Sequence, residues 1–381
     1  MSRRVIAHID ADAFYASVHL LEDPTLAGKP VVVAGSGLRS IVTTANYEAR
    51  RFGIGSAQPA ERARRLCPHA VFLTPDFDLY RAYARSAMEV MERYCDIIEP
   101  LSLDEAYLDI TALESPVRTM REMIAEIKLD VGLQYSLGIG PNKLCAKVLS
   151  DYQKPSAFNV ASREQCCEIF ADSSPRLLPG IGPKTAASLD AMGLKMIGAI
   201  REATPELLAT AFGARRGVEL QARARFEHDG IVQRERGQAK SKSEETTFEH
   251  DVDNIGELEW KLRSMSEQLC AGLVRGELRG RTIGIKVRLA DFTTVTRART
   301  VSEYTNDSGQ VAAVACELLR EYDPPQPVRL IGVRMASFEN EGGEPDEIDD
   351  TEPTGEVGEQ LRLPIDLNAL RIDVRKLTSR A

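Results

Sequence analysis

The sequence lacks the features of a membrane or secreted protein. No apolar run approaches the roughly 20 residues that a helix needs to cross a bilayer, and no secretory leader is recognisable. The seven cysteines include no C-x-x-C pair, and the adjacent Cys166 and Cys167 do not have the spacing of a zinc site. An odd, scattered set of cysteines is typical of reduced thiols. We therefore expect a cytoplasmic protein without disulfides or structural zinc.

Basic residues are absent from one long segment, which carries ten acids between Glu339 and Glu359. Leaving these acids out changes the formal net charge from -9 to about +1, and local charge rather than the sum sets the field that a ligand meets. The rest of the chain carries basic clusters, which are typical of a nucleic-acid-binding surface. The clusters are Arg215, Arg216, Arg223 and Arg225; Arg234, Arg236, Lys240 and Lys242; and Arg275, Arg279, Arg281, Lys286, Arg288, Arg297 and Arg299.

The 381 residues, 43% of them hydrophobic, are enough for more than one packed core, and no internal repeat is present. Hydrophobic periodicity predicts an α+β region up to about residue 165, then short helices, a polar linker and a further region of alternating strands. The predicted strands lie at 5–9, 31–35, 134–139, twice within 97–111, and as a hairpin within 281–301. The predicted helices lie at 47–53, 78–95, 116–131 and 142–152.

Acidic residues stand at the ends of two predicted strands. Asp10 and Asp12 follow the first strand, and Asp104 and Glu105 lie where two later strands meet. Oxygen ligands brought together in this way suit Mg²⁺ or Mn²⁺, and two such ions can clamp the oxygens of a phosphoryl transfer. Each pattern taken alone is more typical of a polar turn than of a catalytic site. Asp12 is also well placed to cap a helix that starts near Ala13.

A third pattern is the segment TTANYEARRFG at 43–53. Tyr47 and Arg50 lie three residues apart on a predicted helix and therefore share a face. With Thr44, they offer hydroxyl and guanidinium donors to phosphate oxygens, and Lys154 adds a further cation. Taken alone, this pattern favours a surface helix with an exposed arginine.

Five motifs occur together in one order along the chain: HIDADAFYASV, TTANYEARRFG, SLDEAYLDI, SLGIGPNKLCAKVLSD followed by Lys154-Pro155, and LLPGIGPKTA. In order and spacing the sequence closely resembles the Y-family DNA polymerases, and among them the DinB branch, over nearly all of residues 1–338. The resemblance implies a multi-domain α+β right-hand polymerase. It also implies low-fidelity, template-directed translesion synthesis without a proofreading exonuclease.

The resemblance assigns roles to the acidic residues and to one tyrosine. Asp10, Asp104 and Glu105 match the catalytic carboxylates, which bind two Mg²⁺ ions with Mn²⁺ as an alternative, and the main-chain carbonyl of Ala11 matches a further ligand. Tyr15 matches the steric gate, a ring that would clash with the 2′-hydroxyl of a ribonucleotide. Asp12 matches no metal ligand, so for it we favour the helix cap.

The resemblance also implies how the substrates bind. Thr44, Tyr47, Arg50 and Lys154 match contacts to the triphosphate of a dNTP, which a primer 3′-hydroxyl attacks with release of pyrophosphate. The turn PGIG at 179–182 resembles a helix-hairpin-helix, whose glycines let backbone amides approach a DNA phosphate. The expected contacts to the DNA backbone are Gly180, Gly182, Lys184, Arg297 and Arg299.

The same resemblance divides the chain into domains, which we expect to form a monomer. They are a palm (1–10 and 77–165), fingers (11–76), a helical thumb (166–232), a linker (233–243), an α/β little finger (244–338) and an acidic tail (339–381). Within the tail, QLRLP at 360–364 resembles the peptide that binds a bacterial sliding clamp. Its expected anchors are Gln360, Leu361 and Leu363, although Pro364 and Ile365 replace the usual bulky end residue.

Two other functional classes remain open. One is a non-catalytic polymerase relative that only recruits partners to DNA, against which the intact carboxylates, Arg50 and Lys154 argue. The other is a two-metal DNA-repair nuclease with a helix-hairpin-helix, in which the Tyr15 gate and the triphosphate contacts would have no purpose. Primer extension, an unchanged primer or a shortened primer would separate the three classes.

Overall fold

The computed structural model describes residues 4–234, 237 and 239–339. Within them the chain forms two compact units, one from residues 4–36 and 41–234 and the other from residues 37–40 and the part from 237 onward. The strands are β1 (Ile6–Ala11), β2 (Val31–Ala34), β3 (Val42–Ala45), β4 (Val71–Leu73), β5 (Ile98–Pro100), β6 (Glu105–Asp109), β7 (Tyr135–Gly140), β8 (Phe158–Val160), β9 (Ser241–Val252), β10 (Gly280–Leu289), β11 (Thr294–Thr305) and β12 (Val328–Phe338). The α-helices are α1 (Phe14–Glu22), α2 (Tyr47–Arg50), α3 (Ala60–Leu66), α4 (Phe77–Tyr94), α5 (Pro116–Asp130), α6 (Lys143–Asp151), α7 (Arg163–Ile169), α8 (Pro183–Ala191), α9 (Ile197–Glu202), α10 (Pro205–Phe212), α11 (Ala214–Ala224), α12 (Ile255–Arg275) and α13 (Ser308–Tyr322).

A five-stranded sheet with the order β5-β6-β1-β7-β8 forms the centre of the first unit. β1 runs antiparallel to both β6 and β7, and β7 runs parallel to β8. Side chains alternate along β1, so Ala7 and Ile9 join the core under α4 and α5. Helix α6 covers the opposite face, where His8 Nδ1 lies 2.7 Å from Ser150 Oγ of that helix. Asp10 therefore shares the α6 face of the sheet.

Two glycines of β7 allow α6 to pack closely on the sheet. A Cβ atom at Gly138 would lie 2.2 Å from the carbonyl oxygen of Ala146 and 2.4 Å from the amide nitrogen of Ser150. A Cβ atom at Gly140 would lie 2.5 Å from the Cβ atom of Cys145. Because no side chain fits into these spaces, glycine at both positions sets the depth at which α6 lies against β7.

A smaller three-stranded sheet, with the order β3-β2-β4, packs with α2 and α3 around a core of short side chains such as Val32 and Ala63. α2 ends at Arg50, and Gly53 in the turn that follows adopts a φ of 76°, a left-handed conformation that favours glycine. The amide of Gly53 donates to the carbonyl oxygen of Arg50 at 2.9 Å. The helix predicted over 47–53 is therefore present but three residues shorter, and Gly53 closes the turn that follows it.

Helices α7 to α11 pack around a separate core that includes Phe170, Leu208 and Phe226. α7 begins after Ser162, whose side chain and that of Gln165 cap each other's backbone amides. The expected domain boundary between residues 165 and 166 therefore falls inside a helix. The expected boundary between residues 10 and 11 likewise falls inside β1.

The second unit is an antiparallel sheet with the order β11-β10-β12-β9, and α12 and α13 share its hydrophobic core. The hairpin predicted within 281–301 is confirmed as β10 and β11. The linker predicted over 233–243 is too long, because β9 begins at Ser241 and pairs with β12 from there onward. Hydrophobic periodicity did not predict the start of this strand, because the side chains at 241–243 are polar and backbone pairing rather than apolar burial defines it. The tail from residue 340 and its peptide at 360–364 lie outside the described residues.

Candidate active site

The ends of β1 and β6 bring three acidic side chains to one edge of the central sheet. Asp10 and Glu105 are direct cross-strand partners, and the amide of Ala11 donates to the main-chain oxygen of Asp104 at 2.9 Å. Directly paired residues of an antiparallel ladder carry their side chains on the same face. The fold thus brings together the three carboxylates that the sequence singles out.

Burial and mutual repulsion act on these carboxylates. Burial, and next the nearby charge of Asp10, raise the pKa of Asp104 to about 6. Burial also raises the pKa of Asp10, against the opposing charge of Lys154. Burial alone would raise the pKa of Glu105, but His8 and Lys147 outweigh it and lower that pKa to about 2. Acids held this close together favour a bound cation.

Two lysines lie against the carboxylates. Lys154 Nζ is 2.6 Å from Asp10 Oδ1, and Lys147 Nζ is 2.5 Å from Glu105 Oε2. Lys154 is among the residues that the sequence singles out, whereas Lys147 is not. The available signal was its spacing of four residues from Lys143 on α6, which places both lysines on one helix face.

The described residues contain no ready-made cluster of three or more His, Cys, Asp or Glu ligands for a metal. Asp10 and Glu105 each turn toward a lysine, and the Ser102 hydroxyl donates to a carboxylate oxygen of Asp104. The donor set itself fits a hard divalent cation, because carboxylate oxygens and a main-chain carbonyl such as that of Ala11 are the ligands that Mg²⁺ prefers.

Tyr15 lies in the first turn of α1, close to the carboxylates. Its ring centroid is 4.5 Å from that of Tyr80, 5.3 Å from that of Phe14 and 6.0 Å from that of Phe77. Burial, and next the charge of Asp104, raise the pKa of Tyr15 to about 12, so its hydroxyl stays protonated. The aromatic neighbours hold the Tyr15 ring in one place, so that it forms a rigid surface beside the carboxylates.

The residues expected to contact phosphate lie on β3 and α2. Thr44 on β3 is buried, and Tyr47 and Arg50 share a face of α2. The Arg50 guanidinium lies 4.7 Å from the centre of the Tyr47 ring, and its Nε donates to the carbonyl oxygen of Ala45 at 2.9 Å. The arginine is therefore fixed against α2 instead of extending freely into solvent.

The helix cap expected of Asp12 is wrong. Ala13, with a φ of 49°, occupies the N-cap position of α1, and no side chain caps this helix. The Asp12 carboxylate instead accepts hydrogen bonds from the Ser136 hydroxyl, the Tyr47 hydroxyl and the Ser156 amide, at 2.8, 3.2 and 2.7 Å. The left-handed residue after Asp12 turns the chain, so the carboxylate points into the protein and away from the helix amides.

The turn at 179–182 is held by arginines of α11. The Arg223 guanidinium donates to the carbonyl oxygen of Pro179, and Arg216 Nη2 donates to that of Gly180 at 3.3 Å. Gly180 has a φ of 83°, and a Cβ atom there would lie 2.9 Å from Arg223 Nη1. Gly182 is the N-cap of α8, the helix that carries Lys184. Two arginines of the first basic cluster thus brace this turn.

Arg297 and Arg299 do not lie where a contact to DNA was expected. On β11 they pair with Ile285 and Ile283, whose side chains face the core under the helices. Accordingly, Arg299 lies 2.5 Å from both Glu317 and Glu321 of α13, and Arg297 lies over the ring of Tyr322. The sequence could not reveal this, because strand alternation fixes the relative face of two residues but not which face a helix covers.

The open face of the same sheet has a different composition. Three cross-strand rows on this face pass through Thr282, Gly284 and Lys286 of β10. The middle row includes Arg334 of β12. Apart from Glu245, the other members of the rows are small or hydroxyl residues: Thr296, Ala298, Thr300, Gly332, Ala336, Ser241 and Ser243. Lys286 Nζ lies 3.0 Å from a carboxylate oxygen of Glu245, and Arg334 is exposed. This face is therefore polar and largely exposed to solvent.

Comparison with known proteins agrees with this geometry. Residues 9–151 match the impB/mucB/samB family, and residues 239–348 match the impB/mucB/samB family C-terminal domain. The chain is similar to DNA polymerase IV of Halorhodospira halophila, at 39% identity over 91% of this chain and 98% of that protein. It is 36% identical to DNA polymerase IV of Methanoculleus marisnigri, over 88% of this chain and 95% of that protein.

Among solved structures, the chain is similar to a "Y-family DNA polymerase chimera Dbh-Dpo4(243-245)-Dbh". The TM-score is 0.78 at 25% identity, and the match covers 87% of this chain and 98% of that chain. The chain therefore belongs to the Y-family DNA polymerases and, within them, to the DNA polymerase IV family of DNA-directed lesion-bypass polymerases. Its C-terminal antiparallel sheet is the little finger of that fold. None of the helices in the described residues is long and apolar enough to cross a membrane.

Proposed function

We propose that the edge formed by Asp10, Asp104 and Glu105 transfers a nucleotide from a dNTP to a primer 3′-hydroxyl and releases pyrophosphate. The observation that carries this proposal is the meeting of three acidic side chains at the ends of two paired strands. These carboxylates and the carbonyl of Ala11 would hold two Mg²⁺ ions, with Mn²⁺ as an alternative. When bound, the ions would make the hydroxyl a better nucleophile and offset the charge on the pyrophosphate.

The triphosphate would lie between β3, α2 and the turn after α6. Tyr47 and Arg50 offer a hydroxyl and a guanidinium from one helix face, and Thr44 adds a hydroxyl from the preceding strand. Lys154 lies beside Asp10, so its ammonium is within reach of a phosphate held at the carboxylates. Hydrogen-bond donors fixed in advance stabilise the charge that develops on the leaving group.

Tyr15 would select deoxyribonucleotides. Its ring is held by Phe14, Phe77 and Tyr80 and lies close enough for the charge of Asp104 to act on it. A ring held this firmly cannot retreat from a 2′-hydroxyl, so a ribonucleotide would be rejected by steric clash. The hydroxyl of Tyr15 is not needed for this role.

DNA would bind through its backbone. The turn at Gly180 and Gly182, with Lys184 in the following helix, presents a helix N-terminus, which favours a phosphate. In the little finger we assign the contact to the open sheet face with Lys286 and Arg334, in place of the arginines that pair with α13. Neither surface offers a pattern that reads bases, so binding would be independent of sequence.

We assign the domains from the elements. The palm is the central sheet with its helices, at 4–11 and 77–162, and the fingers are residues 12–76. The thumb runs over 163–232, and the little finger begins at 241. The small core of the fingers, built from short side chains, supports loose inspection of the base pair and hence low fidelity.

Two further assignments concern the cellular setting. We propose that the peptide at 360–364 binds a bacterial sliding clamp through Gln360, Leu361 and Leu363, and that the protein acts as a monomer. We also propose a cytoplasmic location, which is supported by the seven cysteines, all of them free thiols.

The experiment that tests the proposed function follows the length of a labelled primer. The protein is incubated with primer-template DNA, Mg²⁺ and dNTPs, and the products are separated by size. We expect the primer to lengthen as the template directs. An unchanged primer would instead support a non-catalytic DNA-binding relative, and a shortened primer would support a nuclease.

A further inference from the structure

Asp12 is a buried carboxylate that joins three separate parts of the first unit. Only 4% of its surface is exposed. Its Oδ1 atom accepts from Ser136 of β7 and from Tyr47 of α2, and its Oδ2 atom accepts from the amide of Ser156. The last of these residues follows Lys154-Pro155 directly. One side chain thus ties the end of β1 to the sheet, to α2 and to the turn that carries Lys154.

Three groups donate hydrogen bonds to the Asp12 carboxylate. The Ser136 hydroxyl already accepts from the amide of Ala157 at 3.1 Å, so its own proton points to Asp12. The Ser156 amide can only donate, and the Tyr47 hydroxyl lies 3.2 Å from the same carboxylate oxygen as Ser136. Asp12 therefore accepts hydrogen bonds on both oxygens, which a carboxylate can do and the side-chain amide of asparagine cannot.

We propose that Asp12 is a positioning residue for the triphosphate-binding groups, acting through Tyr47 and through the turn that carries Lys154. This inference rests on the proposed function, in which both residues contact the triphosphate. Asp12 would act without contacting metal or nucleotide itself, because its carboxylate is buried and already accepts three hydrogen bonds. It fixes the distance between α2 on one side of the site and Lys154 on the other, so that both reach the same phosphates.

The direct test is Asp12→Asn, which keeps the shape but places an NH₂ group opposite at least one of the three donors. We expect the KM for dNTP in primer extension to rise about tenfold, with a smaller change in kcat and unchanged affinity for primer-template. The matched control is Asp76→Asn, since Asp76 is an N-cap whose Oδ1 accepts from the amide of Leu79, and asparagine caps equally well. This control should leave both kinetic constants unchanged.

A double-mutant cycle asks whether Asp12 acts through Tyr47. In a Tyr47→Phe background the hydroxyl that Asp12 accepts from is gone, so Asp12→Asn should raise KM by only about threefold. If the two substitutions raise KM independently, so that the double variant shows the product of the single changes, Asp12 does not act through Tyr47. An Asp12→Asn protein that melts earlier but keeps the wild-type KM would also overturn the proposal, because it would show a purely structural role.

Hydrogen exchange tests the same link without any polymerase activity. In the substrate-free protein, Asp12→Asn should speed amide exchange in α2 and in the segment 153–158, while α12 and α13 in the second unit keep wild-type exchange. Unchanged exchange in both α2 and 153–158 would refute the positioning role. A wild-type protein that fails to extend primers would refute the proposed function, and the exchange result would still decide whether Asp12 holds these two segments.

Discussion

Among the single residues of the site, Asp104 has the clearest predicted effect. Replacing its carboxylate by the isosteric amide in Asp104→Asn removes a charged ligand, so primer extension should fall by about two orders of magnitude or more. Binding to primer-template should stay close to wild type, because Asp104 is not among the proposed contacts to the DNA backbone. Gel-based extension and fluorescence anisotropy measure the two quantities.

The matched control for this variant is Asp109→Asn, at the far end of the strand β6 that follows Asp104. The Asp109 carboxylate accepts from the amide of Thr111 at 3.0 Å, which the asparagine oxygen can also do. Extension by this control should be normal. Wild-type extension by Asp104→Asn would remove Asp104 from the metal-binding set.

Tyr15 allows a prediction about sugar selection. Tyr15→Ala removes the ring that a 2′-hydroxyl would strike, so the preference for dNTP over rNTP should fall at least about tenfold. Tyr15→Phe keeps the ring and should keep the preference. Incorporation of each nucleotide is compared as kcat/KM, and an alanine variant that still rejects ribonucleotides would exclude the steric gate.

Single residues also show where sequence reasoning stops. Asp10 and Asp104 could be found because strand ends and turn tips are recognisable patterns. The role of Asp12 could not be found, because its partners at positions 47, 136 and 156 are distant in the chain and Ala13 takes an unusual left-handed conformation. The predicted DNA contacts of Arg297 and Arg299 were wrong for a related reason, because the helix that pairs with Arg299 lies further along the chain.

At the level of elements, the packing of α6 on β7 holds the lysines against the carboxylates. Gly138→Ala would place a Cβ atom 2.2 Å from the carbonyl oxygen of Ala146. Backbone must then move, so the variant should lower the free energy of unfolding by about 1–3 kcal/mol and reduce activity. Gly55→Ala is the control, because no atom lies within 4 Å of its added Cβ. Urea denaturation measures the free energy of unfolding of both variants. Equal stability of the two variants would contradict close packing at Gly138.

Most elements of the first unit up to α6 could be predicted from hydrophobic periodicity, because each buries one face in a well-formed core. The strands and helices predicted before residue 153 are all present, with ends shifted by at most three residues. Short elements such as β4 and β8 were not predicted, because three residues are too few to show a hydrophobic periodicity. The start of β9 was not predicted because its first residues are polar and belong to the strand through backbone pairing with β12.

At the scale of the whole molecule, DNA affinity should depend strongly on salt. A protein that contacts several phosphates loses affinity linearly on a double logarithmic plot of binding against salt. Arg334→Ala on the open sheet face should reduce that slope by about one. Arg299→Ala should leave the slope unchanged, because this guanidinium is paired with two glutamates of α13. The reverse outcome would restore the original assignment of Arg299 to DNA.

The tail allows a prediction that separates recruitment from catalysis. Deleting residues 360–366 should leave extension of a linear primer-template unchanged and reduce synthesis only when a sliding clamp is loaded on the DNA. The comparison needs the same template with and without clamp. A loss of synthesis without clamp would contradict the clamp-binding role of this peptide.

The central claim is that paired carboxylates at the ends of β1 and β6 transfer nucleotides with two bound cations. The most direct measurement is the rate of single-nucleotide primer extension as a function of Mg²⁺ concentration, for the wild type and for Asp10→Asn. We predict no extension in EDTA, a rate that rises more steeply than the first power of Mg²⁺ below saturation, and a shift to higher Mg²⁺ in the variant. Extension that persists in EDTA, or a variant with the wild-type Mg²⁺ dependence, would contradict the claim.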